Sequence, residues 1–537
     1  MSCKTQVLRS GSYSLPQPFT AGRRTLNTQI ARVNAKIMMP SKPPGLFSRD
    51  QVEEKLISLF LGEAGIGRDR LDLTAPISGY GLDSVSVASV LAEAEDWTGR
   101  RIDPDLLWKQ PSIRALAEHL SAPAPVESTK PAEAIGGYDA LPGLLEFEAR
   151  FRALDDAGLE DPFFRSFDGA SGSTIVSGGR SLINFASYNY LGLADDPEVK
   201  KAAREAVDRY GASVSASRLS SGEREIHRRL ESVLARFVGA EEALVFVGGH
   251  ATNVSVISHL CSPRDVIVYD SLMHNSAITG ARLSGARCLS FPHNDFAALD
   301  ALLGIERRNH RSALVLVEGV YSTEGDIPDL HELIRIKHEH KAWLMVDEAH
   351  SIGVLGRSGR GIAEHFSIPA SEIDILMGTL SKSLASCGGY VAGARRLIRY
   401  LRYTCPGFIF SAGISPANAA AALRAIQMLQ AEPARVGTLR RNAEYLARKA
   451  RASGLDVGRS AHSGVVPVIV GGDLDAMRLS NELFAAGVNV QPLVSPAVEP
   501  GTARLRFFVS SLHTEDHLDH AIRLTADRVL GGSALCR

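Results

Sequence analysis

Trp343-Leu344-Met345-Val346 is an apolar run that stops at Asp347-Glu348-Ala349-His350, and Ile373-Asp374-Ile375-Leu376-Met377 runs on into Gly378-Thr379-Leu380-Ser381-Lys382. Short apolar runs with polar or glycine residues at their ends read as strands buried on both faces of a parallel sheet. Ala243–Val247, Val266–Tyr269 and Ala313–Val317 have the same form, and Ile226, Leu230, Val233, Leu234 and Phe237 line one face of a helix among them. This alternation, from about residue 141 to the end, predicts an α/β fold: a mainly parallel sheet with helices on both faces. Beyond about residue 405 the strand signal thins, Arg504–Ser510 excepted, which predicts a smaller C-terminal subdomain. Ligands of such sheets bind beyond the carboxyl ends of the strands. That rule points to Asp347, His350 and Lys382, and to Asp270 and His274 after Val266–Tyr269.

The rest of the composition narrows the chemistry. The 537 residues suffice for a large buried core, and 45% apolar with 22% charged residues is ordinary for a globular chain. Lys and Arg number 59 against 60 Asp and Glu, so no global field attracts nucleic acid or an acidic membrane. No apolar stretch has the length of a membrane span. The six cysteines are scattered without a Cys-x-x-Cys pair, which fits a reducing cytoplasm better than a disulfide framework. Small-molecule chemistry is the expectation. His338, Glu339 and His340 sit between Lys337 and Lys341 and read as a solvated helix face, so no metal site is expected.

The N-terminal third is organised differently. Residues 1–48 carry no Asp or Glu but several Lys and Arg among Ser, Thr and Pro, and are expected to be a disordered basic extension, either a targeting segment or a stretch upstream of a start at Met38 or Met39. Over 49–121, Val52, Leu56, Leu59 and Phe60 repeat at helical spacing, as do Ile113, Leu116, Ala117 and Leu120, which predicts a small all-α bundle. Between them stands Gly81-Leu82-Asp83-Ser84-Val85, with Ser84 at a helix start. By itself Asp-Ser there is ordinary capping. In a bundle of this size it resembles the modification site of acyl and peptidyl carrier proteins, which implies 4'-phosphopantetheine on Ser84. Residues 122–140, with Pro123, Pro125 and Pro131, have the composition of a linker.

A lysine among small hydroxyl and glycine residues, about 35 positions after a strand-end aspartate, is what pyridoxal 5'-phosphate requires. The amine forms the covalent link, the carboxylate keeps the pyridine nitrogen protonated, and glycines let backbone approach the phosphate. Phe185–Leu193, Ser217–Gly222, Glu318–Asp326, Asp347–His350, Gly378–Lys382 and Ala503–Arg506, taken in order, resemble the α-oxoamine synthases, which include serine palmitoyltransferase and 8-amino-7-oxononanoate synthase. The resemblance implies a fold-type I pyridoxal-phosphate homodimer, here preceded by an acyl-carrier bundle. It also implies roles. Lys382 holds the cofactor, Asp347 pairs with its ring nitrogen, His274 stacks on the ring and His350 approaches its phenolic oxygen. Ser322 and Thr379 supply hydroxyls. Gly249 and His250 form the phosphate-side turn, His250 standing where the family often carries an aromatic. Asn189 and Arg506 contact the substrate, Arg506 through the amino-acid carboxylate.

The implied activity is decarboxylative condensation of serine, alanine or glycine with an acyl thioester, carried on Ser84, to an α-amino ketone. Partners would be the amino acid, the acyl donor, a phosphopantetheinyl transferase and an acyl-loading enzyme. Another pyridoxal-phosphate activity such as transamination, or a non-catalytic carrier scaffold, are the alternatives. Tyr210–Arg218 is bulkier than the family's glycine-rich run, and Ala497 replaces a threonine of pimeloyl-using members, so the pattern lies nearer the serine palmitoyltransferase variety.

Overall fold

The structure, a computed structural model, describes residues 47–64, 72–74, 77, 90, 91, 94, 97, 98, 100, 112–121, 138, 141–461 and 463–532. The chain divides into two compact units, Met1–Glu133 and Ala134–Arg537.

In the first unit, helices Arg49–Ala64 and Ile113–Ser121 bury the stripes their spacing predicts: Val52, Leu56 and Phe60 on one, Ile113, Leu116, Ala117 and Leu120 on the other. These residues form one core with Ile77, Val90, Leu91 and Ala94. The first helix is closed by a reciprocal cap, in which Ser48 N donates to Gln51 Oε1 at 2.9 Å and Gln51 N donates to Ser48 Oγ at 3.3 Å. Phe47 stacks on Trp97 with ring centroids 4.0 Å apart, so the unit takes in Phe47 and Ser48 as well. Ser84 lies outside the described residues.

In the second unit β1 (Thr174–Ser177) and β2 (Arg180–Asn184) form a hairpin. The central sheet follows, from β3 (Glu242–Phe246), β4 (Val266–Asp270), β5 (Arg287–Phe291), β6 (Ala313–Glu318), β7 (Trp343–Asp347), β8 (Ile375–Thr379) and β9 (Gly389–Gly393). Its order is β3-β9-β8-β7-β6-β4-β5. All neighbours are parallel except β9, which is antiparallel to both β3 and β8. The C-terminal part adds β10 (Val465–Gly471), β11 (Val488–Asn489), β12 (Gln491–Leu493) and β13 (Ala503–Phe508). β10, β13 and β12 make an antiparallel sheet, while β11 joins β2 in parallel.

The predicted strands are present with ends shifted by up to two residues. Two strands of the central sheet have no counterpart in the sequence reading, nor do β1, β2, β10, β11 and β12 outside it. Edge strand β5 (Arg-Cys-Leu-Ser-Phe) is only partly apolar, and β9 opens and closes with glycine, a residue that weakens strands and reads as loop. Packing explains Gly389: a Cβ there would meet Thr252 Oγ1 at 2.5 Å and Gly249 Cα at 2.7 Å. β9 therefore passes directly beneath the start of helix Gly249–Leu260. Apolar side chains from both elements, with Leu244, Leu314, Met345 and Ile375, form the core below the sheet ends. No described helix is long and apolar enough to cross a membrane.

Candidate active site

Strands β7 and β8 deliver Asp347 and, three residues past β8, Lys382 to the same edge of the sheet. A cavity of about 150 Å³ opens there, walled by Lys382, Asp347, His274, His350, Thr379 and Gly249, with His250 at its rim. With Glu318 also in its wall, the structure brings together residues from five separate stretches of sequence. A second cavity, of about 410 Å³, lies on the other side of Lys382 and Ser381, with Tyr188, Asn189, Phe167, Ile175 and Ala385 in its walls. Lys382 lines both the smaller pocket and the wider vestibule.

The electrostatics follow from partners. Loss of solvent pulls the Lys382 amine down to about 8 against the opposing pull of Asp347 and Glu318, so a substantial fraction is neutral and nucleophilic near pH 8. Asp347 Oδ2 accepts from Asn253 Nδ2 at 2.7 Å and Oδ1 from Ala349 N at 2.9 Å, which aims the carboxylate. Asn253 Nδ2 also donates to Ser276 Oγ at 2.9 Å, and Ser276 Oγ lies 2.7 Å from His274 Nδ1. His274 Nδ1 accepts from Ser276 N as the cap of helix Asn275–Leu283, so its ring proton sits on Nε2. Burial lowers the His274 pKa, and the ring is neutral.

His350 is buried, and burial followed by the nearby Lys382 charge drives its pKa well below the ordinary value. Tyr190 Oη lies 2.7 Å from His350 Nδ1, and this hydroxyl has no other hydrogen-bond partner among the described residues. Tyr190 therefore donates, which leaves Nε2–H of a neutral imidazole for the cavity. Phe508 stacks on the ring at 14° and Tyr188 meets it edge-on, fixing its plane.

The residues fit pyridoxal 5'-phosphate. A neutral amine, an anchored carboxylate and an Nε2–H donor match its aldehyde, ring nitrogen and phenolic oxygen in kind. At the other end, the backbone amides opening helix Gly249–Leu260 and the hydroxyls of Thr379 and Ser381, 2.7 Å apart, suit a phosphate. Gly249 is needed for this approach, since a Cβ would meet Thr379 Oγ1 at 3.0 Å.

Three predicted site residues stand elsewhere. Ser322 does not line the pocket: its N–H donates to Glu318 Oε2 at 3.1 Å and its carbonyl accepts from Arg506 Nη1 at 2.9 Å. Arg506, on β13, lies over the Phe508 ring and is positioned by Ser322. Asn189 lines the vestibule, its amide tied to Ser171 O and Ala194 N. Asn253, Ser276, Ser381 and Glu318 were not singled out from the sequence, although Glu318 opens one of the quoted motifs. His338 pairs with Glu372, and His340 with Asp300, which Arg335 also holds.

Behind the pocket His293 bridges Asp270 and Asp326 at 2.9 Å each. Burial opposes its charge, but bonds to the two carboxylates win and push the imidazole up to about 9. The raised value means that this stabilisation is complete below the unfolded value of about 6.5 and is lost as pH rises through about 9. His293→Ala should cost on the order of 3 kcal/mol in denaturant unfolding at pH 6 and flatten the fall of stability between neutral and alkaline pH.

The model for aminotransferase class I and II matches residues 180–524, and the model for a phosphopantetheine attachment site matches residues 54–120, a range that contains Ser84. The chain belongs to the aminotransferase class I and II family. Within this family it is 38% identical over 362 residues to a serine palmitoyltransferase of Bacteroides thetaiotaomicron, covering 67% of this chain and 91% of that protein. It is 41% identical over 364 residues to an 8-amino-7-oxononanoate synthase of Geobacter sulfurreducens, covering 67% and 92%. The solved serine palmitoyltransferase of Sphingomonas wittichii superposes with a TM-score of 0.70 at 31% identity, over 73% of this chain and 99% of the other. This aminotransferase class I and II chain is a fold-type I pyridoxal-phosphate enzyme, an acyltransferase of the α-oxoamine synthase kind, with a phosphopantetheine module at its N-terminal side.

Proposed function

We propose that the chain condenses an amino acid, serine, alanine or glycine, with an acyl thioester carried on phosphopantetheine at Ser84. The products are an α-amino ketone, carbon dioxide and the free thiol, with one proton consumed. The observation that carries the reading is Lys382 as shared wall between the pocket with the cofactor's donor set and the open vestibule. When bound, the cofactor supplies the electron sink that acidifies the amino acid's Cα–H and accepts the electrons left by decarboxylation.

The protein's own residues do the rest. Asp347, aimed by Asn253 and Ala349, holds a proton at the ring nitrogen. His350 donates Nε2–H to the phenolic oxygen, and His274 presents a neutral ring face. Lys382 Nζ would serve as the base for the Cα proton of the bound amino acid, and its lowered basicity keeps it able to accept one near pH 8. Arg506, swung no further than its Ser322 contact allows, reads the amino-acid carboxylate. Asn189 and Tyr188 shape the vestibule in which the thioester would enter. The working assembly would be a homodimer, as the resemblance implies.

Exchange into deuterium separates this from transamination. The true amino acid should lose its Cα–H to solvent far faster than other members of a serine, alanine and glycine panel, with no amino-group transfer to a keto acid. Transfer without exchange selectivity would favour an aminotransferase.

A further inference from the structure

Three adjacent parallel strands, β4, β6 and β7, each end in an acid: Asp270, Glu318 and Asp347. All three are buried, at 0%, 2% and 5% exposure. The outer two are well supplied with donors. Asp270 accepts from His293, Leu272 N and Asn294 N, and Asp347 from Asn253 and Ala349 N. Glu318, directly across from Asp347 in the β6–β7 register, has one bond among the described residues, from Ser322 N to Oε2. Its Oε1 has no partner among the described residues although the carboxyl lines the cofactor pocket.

Like charges crowded into a low-dielectric site cannot all ionise, and the proton stays where donors are fewest. Glu318 is faced by Asp347 from β7, Asp270 from β4, Tyr321 from its own loop and Lys382 from beyond β8. Burial, then the Asp347 charge, pushes it up to about 8, with Lys382 pulling the other way. Attachment of the cofactor to Lys382 removes that ammonium, and with it the main support for a Glu318 anion. Because Oε2 already accepts from Ser322 N, the proton belongs on Oε1.

We propose that Glu318 is a positioning residue that works as a carboxylic acid: it leaves Asp347 as the one carboxylate facing the cofactor's ring nitrogen, and turns its Oε1 proton toward an acceptor bound in the pocket. The inference rests on the cofactor and is independent of the amino acid or acyl donor. Ionisation of Glu318 places a second negative charge beside Asp347 and raises the proton affinity of the Lys382 nitrogen.

The test uses the full-length holoprotein. Infrared spectra of the wild type near pH 7 should show a carboxylic-acid carbonyl that is absent from Glu318→Gln and that fades only at a pH no lower than about 8, the value reached while the Lys382 ammonium still pulls it down. The cofactor's visible band should titrate in the wild type over a wider range than one proton allows, because the two sites are coupled. In Glu318→Gln, neutral at every pH, it should titrate as a single proton with its midpoint lowered by about one pH unit. A side chain that only fills space would leave this curve unchanged. Superimposable titrations of wild type and Glu318→Gln, or identical carboxylic-acid signals in both, overturn the proposal. Should Glu318→Gln fail to fold, carbon-13 glutamate labelling decides in Glu348→Gln, which removes the other buried glutamate that burial raises, to about 7. A labelled acid carbonyl there supports Glu318 as an acid, and its absence overturns it.

Discussion

Lys382→Ala is expected to give a folded protein without the visible lysine-imine band, whose turnover falls by roughly 10³-fold or more, since both the covalent link and the base are lost together. The substitution removes a side chain at the wall of two cavities and leaves the core beneath the sheet ends intact. Unfolding should therefore move little while the lysine-imine band disappears. The pair Asp347→Asn and Asn253→Ala grade the effect. Asp347→Asn removes the charge that keeps the ring nitrogen protonated, and should lose most activity even where cofactor is retained. Asn253→Ala only frees Asp347 Oδ2 and Ser276 Oγ, and should cost about tenfold. A Lys382→Ala protein that kept the resting imine band and wild-type turnover would remove the lysine from its assigned role.

Ser84→Ala is expected to abolish phosphopantetheine attachment completely, read as the missing mass increment after coexpression with a phosphopantetheinyl transferase. Turnover with carrier-borne acyl groups should vanish with it, while the visible cofactor band and Cα–H exchange stay at wild-type levels. The separation arises because the attachment-site match ends at residue 120 and the aminotransferase match begins at residue 180. A short tether gives an effective concentration near the millimolar range. Cutting near Pro131 and mixing the halves at micromolar concentration should therefore slow transfer strongly, and excess loaded carrier should restore it. Modification persisting in Ser84→Ala would move the site.

Much of this organisation is legible before any coordinates, and the reason is local. Trp343–Val346 and Ala313–Val317 announce themselves as buried strands because each is apolar throughout, and their ends carry Asp347 and Glu318 to one edge. Lys382 and Asp347 are recognisable because their chemistry needs particular residue types. What stays hidden depends on contacts distant in sequence. Gly389 looks like a loop residue until β9 passes under Gly249, and nothing local marks Asn253 as the holder of Asp347 or Ser276 as its link to His274. Ser322 shows the converse. Its hydroxyl suggests a cofactor contact, whereas the structure uses its backbone, N–H to Glu318 and carbonyl to Arg506.

The central claim is that an acyl group on Ser84 is consumed by an amino acid at Lys382. A single-turnover experiment tests it: the full-length holoprotein, loaded with one acyl group on its phosphopantetheine, is mixed with carboxyl-labelled serine, alanine or glycine. Intact mass and released carbon dioxide are then followed together. The expected result is loss of the acyl mass from the carrier in step with release of labelled carbon dioxide, at a rate unchanged by dilution and absent in Lys382→Ala. Acyl mass that stays on Ser84 while a free coenzyme A thioester is consumed, or that leaves without carbon dioxide, would contradict it.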